Sequence, residues 1–196
     1  LLEERFHDRL DAEGREFLGY IVANVKDMSR LIRDLLAYSR VDAQTPALRP
    51  VDMAPLVSRI IGQLDTLITE RGAQVRVDAM PTVIGDSNQL GSLMLNLIGN
   101  AVKYGAADPA PRVRVSAERD GTHWIIAVED NGPGIPPAFR EKVFDLFQRL
   151  DRRDENSGTG LGLAICRRVA ERHDGRIWVA DAPGGGACFR VSLPAA

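Results

Sequence analysis

An α+β fold is predicted: a two-layer α/β sandwich with a mixed, mainly antiparallel sheet and helices on one face, preceded by a long bundle-type helix. Two observations lead to it. The first is a heptad seam, with Leu18, Ile21, Val25, Met28, Ile32 and Leu35 spaced alternately by three and four residues. The second is a mixed succession of helical and strand patterns from Ala54 onward, broken by hairpin signals, which favours a sandwich over a doubly wound parallel sheet. The chain has 196 residues, 44% of them hydrophobic, enough for one ordinary domain with an appendage and a real core.

The elements follow in chain order. Residues 1–10 hold Leu1, Leu2, Phe6 and Leu10 among charges and read as the end of a preceding helix and its turn. A helix is expected from Asp11 to Arg40. Phe17, Leu31 and Leu36 widen its apolar stripe, which suits a bundle better than a two-stranded coil. Val41 to Pro50 carries Pro46 and Pro50 without periodicity and reads as a hinge. Ala54 to Arg71 reads as one helix closed by Gly72. Gln74 to Ala79 alternates as a strand, and Thr82 to Ile84 is a second candidate. Asp86 or Ser87 caps a long helix that reaches Lys103 or Tyr104. Arg112 to Glu118 and His123 to Glu129 form a hairpin around Asp120-Gly121. Gly160 to His173 is helical and ends at Gly175. Arg176 to Ala180 and Ala187 to Leu193 are strands around Pro183-Gly184-Gly185-Gly186.

Composition excludes several classes. A net charge of -2 gives no basic surface for nucleic acid, so no nucleic-acid partner is expected. No run of eighteen apolar residues occurs, so no membrane contact is expected in this stretch, and a cytoplasmic setting fits. The two cysteines, Cys166 and Cys188, lack metal-ligand spacing and read as reduced, buried thiols. The chain opens on Leu1 rather than a methionine, as a piece of a longer protein would.

Four segments carry chemistry. On the helix from Asp86, Leu90, Leu93, Leu97 and Ala101 share one face, while Asn96, Asn100 and Lys103 lie at i, i+4 and i+7 on another, extended by Gln89. Asparagine costs roughly half a kcal/mol against alanine inside a helix, so a merely solvated face would use Glu, Lys or Gln instead. Amide oxygens suit magnesium, and a lysine suits phosphate. Next comes Asp130-Asn131-Gly132-Pro133-Gly134-Ile135 after a hydrophobic strand. Its carboxylate can accept from an exocyclic amine, and its glycines let backbone approach a flat ligand. An ordinary Gly/Pro turn is an equal reading of that segment alone. Gly158-Thr159-Gly160-Leu161-Gly162-Leu163 enters a helix whose amides make an anion site. It is neither a dinucleotide fingerprint nor a P-loop, because spacing and following residues are wrong for both. Between them lie Phe144-Asp145-Leu146-Phe147-Gln148-Arg149 and the charged run Leu150 to Ser157, which reads as a lid over a polar ligand.

In this order and spacing the four segments resemble the N, first glycine, F and second glycine boxes of sensor histidine kinases. That family shares its ATPase fold with DNA gyrase, MutL and the large heat-shock chaperones. The resemblance covers roughly residues 48–196. Asp34-Leu35-Leu36-Ala37-Tyr38-Ser39-Arg40-Val41 is similar to the end of the second dimerisation helix, and with Phe147-Gln148-Arg149-Leu150 it looks most like the phytochrome-related kinases. The resemblance implies two parts: 1–44, a partial dimerisation and histidine-phosphotransfer segment, and 45–196, the catalytic ATP-binding domain. It implies ATP and magnesium as ligands, and a response regulator and a second kinase chain as partners. It assigns Asp130 to the adenine amine, Asn100 to magnesium with Asn96 beside it, and Lys103 to phosphate. Tyr104 would pack on the adenine or ribose side. Gly132, Gly134 and Ile135 would shape the base pocket. Phe147, Gly158, Thr159, Gly160, Leu161 and Gly162 would line the triphosphate, and Arg149 would approach the terminal phosphate. Hydrolysing members of the superfamily place a water-activating glutamate at the position of Asn96. An amide there has no useful basicity, which fits phosphoryl transfer to a protein side chain.

The acceptor histidine is expected to be missing from this chain. The family's acceptor box reads His, acidic, apolar, basic, small hydroxyl, Pro. His7-Asp8-Arg9-Leu10-Asp11-Ala12 exchanges two positions and lacks the proline, so His7 reads as a solvated turn residue. His123 reads as a strand residue and His173 as a cation at a helix C-terminus. Trp124 and Trp178 read as packing residues. A nucleotide-gated protein-binding module without kinase activity is the alternative. A serine kinase of the same superfamily is a third reading, against which the heptad helix argues.

Overall fold

The computed structural model describes residues 11–43, 46–106, 110–148 and 159–196. Helix α1, Ala12–Ala43, is capped by the Asp11 side chain, whose Oδ1 accepts from the Gly14 N–H at 2.8 Å. Leu31 and Tyr38 pack against the main core, while Phe17, Ile21, Val25, Met28, Ile32 and Leu35 are exposed. The predicted seam is therefore real, and most of it faces outward.

The expected hinge gives way to strand β1, Arg49–Asp52, which pairs antiparallel with β3, Thr82–Gly85, in a separate two-stranded sheet. Pro50 hid this strand, yet an edge strand tolerates proline because one N–H side is unpaired. The helix expected over Ala54–Arg71 is two helices, α2 Met53–Gln63 and α3 Asp65–Arg71. Leu64 breaks it just after Gly62, a weak helix former, and the Leu64 N–H bonds back to Ile60 and Ile61 carbonyls. The change of direction lays Leu64, Leu67 and Ile68 against the core. Gly72 closes α3 at φ 60°, as expected.

The main sheet runs β2-β4-β5-β7-β6, with β2 Gln74–Val77, β4 Arg112–Asp120, β5 His123–Asp130, β6 Arg176–Asp181 and β7 Ala187–Pro194. Only β2 and β4 run parallel among the described strands, so the sheet is mixed and mainly antiparallel as predicted. The β4–β5 register, Asp120 opposite His123, confirms the hairpin around Gly121. Helices α4, Ser87–Tyr104, and α5, Gly162–Arg172, cover one face. Leu90, Leu93, Leu97 and Ile98 of α4 meet Ile165 and Val169 of α5 over Val115, Ile126, Val128 and Val191 of the sheet. Burying each such side chain contributes roughly 1.5–3 kcal/mol. Cys166 and Cys188 are free and buried, and burial pushes the Cys166 thiol far up. Among the described residues no helix is long and apolar enough to cross a membrane.

One buried node ties the two large helices together. Asp86 caps α4, its Oδ1 accepting from the N–H groups of Asn88 at 2.9 Å and Gln89 at 3.1 Å. Its own N–H donates to His173 Nε2 at 2.9 Å, and His173 Nδ1 lies 2.8 Å from the Val169 carbonyl. With Nε2 accepting that hydrogen bond, Nδ1 carries the ring hydrogen and donates to the Val169 carbonyl. It is only 1% exposed. The expectation of a cationic helix-end histidine is corrected: His173 is a buried structural link. His123 is the strand residue expected, at the start of β5.

Candidate functional site

Helix α4 positions the first group of residues. Its apolar face sinks into the core, and Asn96, Asn100 and Lys103 emerge half-buried on the next face rather than in open solvent. Asn96 Nδ2 donates to the Ser92 carbonyl at 2.9 Å, which locks the amide along the helix. Its Oδ1 faces Gly162 so closely that a Cβ there would lie 2.5 Å from it. Lys103 Nζ sits 5.1 Å from the Tyr104 ring centroid, and the Lys103 carbonyl accepts from an Arg71 guanidinium N–H. Tyr104 itself is 42% exposed.

Strand β5 ends on Asp130, and the sheet register puts Val113 beside it. This carboxylate is only 9% exposed. Its Oδ1 accepts from the Gly132 N–H at 2.8 Å and the Ala187 N–H at 3.1 Å. Burial pushes its carboxyl above the ordinary carboxylate range, and the two main-chain N–H groups pull it only partly back. Gly132 packs so tightly on the end of α4 that a Cβ would lie 2.3 Å from the Tyr104 carbonyl oxygen. Gly134 has φ 73°, a left-handed conformation that disfavours any side chain. Ile135 packs against the core, and its carbonyl accepts from Arg140 Nε at 3.2 Å. Arg140 also pairs with Asp181 at 2.5 Å, tying this loop to β6. Sequence reading missed Arg140, because a partner forty-one residues away leaves no local pattern.

The phosphate-type segment starts at Thr159, whose Oγ1 accepts from the Leu161 N–H at 3.4 Å. Gly160 has φ 75° and so cannot open the helix, which begins instead at Gly162. Leu161 at the N-cap makes no side-chain capping bond, and the positive dipole end of α5 suits an anion. Leu161 is fully buried in the core. Its side chain anchors the turn, so its backbone is the part that can serve the expected site. Phe147 is 59% exposed with φ 62°, and its N–H donates to the Gly160 carbonyl at 3.1 Å. The F segment and the second glycine segment are thus joined at their roots. Arg149, Gly158, the run Leu150 to Ser157, and His7 lie outside the described residues.

Asp130 with Gly132 sits at the Tyr104 end of α4, and the α5 N-terminus sits at Asn96. Eight residues of helix separate them, about 12 Å. Among the described residues no cluster of three or more His, Cys, Asp or Glu could hold a metal unaided.

The family described as histidine kinase-, DNA gyrase B-, and HSP90-like ATPase matches residues 85–196. Over 194 residues the chain is 44% identical to cyanobacterial phytochrome A of Nostoc sp., with 99% of this chain and 25% of that protein covered. It is 41% identical over 194 residues to phytochrome-like protein Cph1 of Synechocystis sp., covering 99% of this chain and 26% of the relative. The chain thus spans about a quarter of the length of these curated relatives. The crystal structure of full-length ShkA in complex with AMPPNP superposes with a TM-score of 0.74 at 30% identity, covering 94% of this chain and 39% of ShkA. The Acinetobacter baumannii histidine kinase AdeS shares the fold, with a TM-score of 0.71 at 22% identity over 94% of this chain and 85% of AdeS. The chain belongs to the histidine kinase-, DNA gyrase B- and HSP90-like ATPase family, and what it carries is the ATP-binding domain of a sensor histidine kinase.

Proposed function

We propose that this domain transfers the terminal phosphate of magnesium-ATP to a histidine on a dimerisation helix, and that the phosphate then passes to a response regulator. The observation that carries the reading is the pairing, at two ends of one face of α4, of a buried carboxylate and a helix N-terminus entered through glycines. A buried acceptor at Asp130 suits a base amine, and the main-chain N–H groups at the start of α5 suit phosphate oxygens. The separation of about 12 Å asks for a ligand with a base at one end and phosphates at the other.

The residues divide the work. Asp130 accepts from the adenine amine while Gly132, Gly134 and Ile135 shape its pocket. Tyr104 lies against the base or ribose, and Lys103 reaches phosphate. Asn100 would offer its amide oxygen to magnesium, which would supply charge neutralisation at the phosphates, and Asn96 braces the neighbouring start of α5. Thr159, Gly160, Leu161 and Gly162 contribute backbone around the phosphates, with Phe147 at their root; Gly158 and Arg149 belong to the same reading. The bond from the terminal phosphorus to its bridging oxygen breaks as a bond to the acceptor imidazole nitrogen forms, and ADP leaves. Asn96, an amide, does not activate water, which keeps hydrolysis from competing. Residues 1–44 form part of a dimerisation and phosphotransfer unit shared with a second kinase chain, residues 45–196 form the catalytic domain, and the setting is cytoplasmic.

The test is incubation of the chain with magnesium-ATP and a separately supplied acceptor helix pair, followed by detection of acid-labile phosphate. Label on the acceptor, lost in Asn100→Ala while adenosine binding persists, is the expected result. ATP binding with no label transferred would favour a nucleotide-gated binding module instead.

A further inference from the structure

On α5, five residues beyond Gly162, stands an arginine to which the nucleotide reading gives no task. Arg167 Nη2 donates to the Glu141 carbonyl at 3.3 Å and to Glu141 Oε2 at 3.0 Å. Its Nη1 lies 3.6 Å from Asp145 Oδ1. The guanidinium stacks 4.8 Å from the Phe144 ring centroid, and Phe144 is only 2% exposed, wedged edge-on against Phe189. One side chain therefore holds the whole turn from Glu141 to Asp145 onto the helix that carries the phosphate-type terminus.

Stability alone does not account for this arrangement. The Glu141 side chain is 87% exposed and that of Asp145 57% exposed, and ion pairs in such solvent contribute little. What the clamp controls is position. Two residues past Asp145 comes Phe147, held in the left-handed region at φ 62° with its side chain mostly in solvent. Burial does not compensate that strained residue, so surrounding fixed points must hold it. One fixed point is the Phe147 N–H bond to the Gly160 carbonyl, at 3.1 Å. A Cβ on Gly160 would lie 2.8 Å from the Phe147 backbone, so the two segments touch without slack. The other fixed point is Arg167.

We propose that Arg167 is a positioning residue for the phosphate end of the nucleotide site. It touches no nucleotide. It holds the Glu141–Asp145 turn so that Phe147 and Gly160 stay bonded, and Gly160 in turn sets how Leu161 and Gly162 present the first amides of α5. This rests on the nucleotide reading above and adds to it a residue that acts only on the phosphate half.

The test is calorimetric binding of adenosine, ADP and a non-hydrolysable ATP analogue to wild type, Arg167→Met, Arg167→Lys and the double variant Glu141→Gln with Asp145→Asn. A thermal melt of each serves as the folding control. Arg167→Met should weaken the triphosphate analogue about ten-fold or more, since small misplacements of binding groups have large effects, while adenosine affinity holds within about two-fold. Arg167→Lys should recover part of the loss, because a lysine meets one carboxylate but not the forked geometry. The double variant removes the two carboxylates of the clamp at exposed positions without altering α5, and should reproduce part of the selective loss even where Arg167→Met folds poorly. Equal losses for adenosine and triphosphate, or no loss in the folded double variant, would overturn the inference. Adenosine binding that is weakened in Asp130→Asn but not in the Arg167 variants isolates the base half. Wild-type protein that binds no nucleotide would overturn both readings.

Discussion

Asp130 carries two obligations that pull apart. Its Oδ1 is spent on the Gly132 and Ala187 N–H groups, which organise the loop. Its charge, raised in pKa by burial, weakens the fold it helps to organise. The folded state holds the Asp130 proton more tightly than the unfolded chain does. The resulting stability is present at low pH and is lost as pH rises from the ordinary carboxylate range through the raised folded value. Asp130→Asn keeps an oxygen for both N–H groups and removes the buried charge. The variant should therefore match wild type in acid and exceed it in urea resistance near neutral pH. It should still lose most adenosine binding, because an amide donor would face the adenine amine and a charged hydrogen bond of about 1.5–3 kcal/mol would go. Urea melts across pH, set beside calorimetry with adenosine, check both halves. Wild-type adenosine affinity in a folded variant would remove Asp130 from the base pocket.

Between α4 and α5 the packing is mostly apolar, and the His173 node lies at the ends of the two helices distal from the site. Replacing His173 by leucine leaves the Asp86 N–H buried without an acceptor, which should cost about 1–3 kcal/mol. His173→Gln should recover part of this, since its amide oxygen can accept. Denaturant melts of both variants settle it, and a leucine variant as stable as wild type would show that the ring matters only for volume. The node also marks what sequence could and could not reveal. The α1 seam and the α4 stripe were legible because periodicity is local. Gly132, Gly134 and Gly160 were legible because each position forbids a common alternative: a side chain at φ above zero, or a Cβ against backbone. His173 was misread because proximity to Gly175 is visible in sequence and burial against Asp86, eighty-seven residues away, is not. The break at Leu64 escaped notice because apolar spacing runs on through it. That the Leu161 side chain sinks into the core is not visible in a motif made mostly of glycines. Arg140 and Arg167 act through partners that only folding brings near.

At the scale of the molecule, the question is which histidine could take a phosphate from this site. The chain has three. His173 is 1% exposed, with both ring nitrogens engaged. His123 begins β5, opposite Pro194, whereas Asp130 ends it. Seven strand residues put them about 23 Å apart, and the His123 ring leans on the Asp174 carbonyl at 3.2 Å. Neither can reach a near-attack pose, which needs about 3–3.5 Å to the phosphorus. His7 stands among residues that do not match an acceptor box. Meanwhile α1 turns Phe17, Ile21, Val25, Met28, Ile32 and Leu35 to solvent, an apolar stripe that asks for helices from elsewhere. The chain as purified should therefore bind ATP, self-associate through that stripe, and accumulate no phosphohistidine. Ile21→Glu with Met28→Glu should reduce the association seen by sedimentation while leaving adenosine affinity intact. Labelled ATP gives the decisive measurement, run on wild type and His7→Ala. Acid-labile label that appears in wild type and vanishes in His7→Ala would make His7 the acceptor and overturn this assignment.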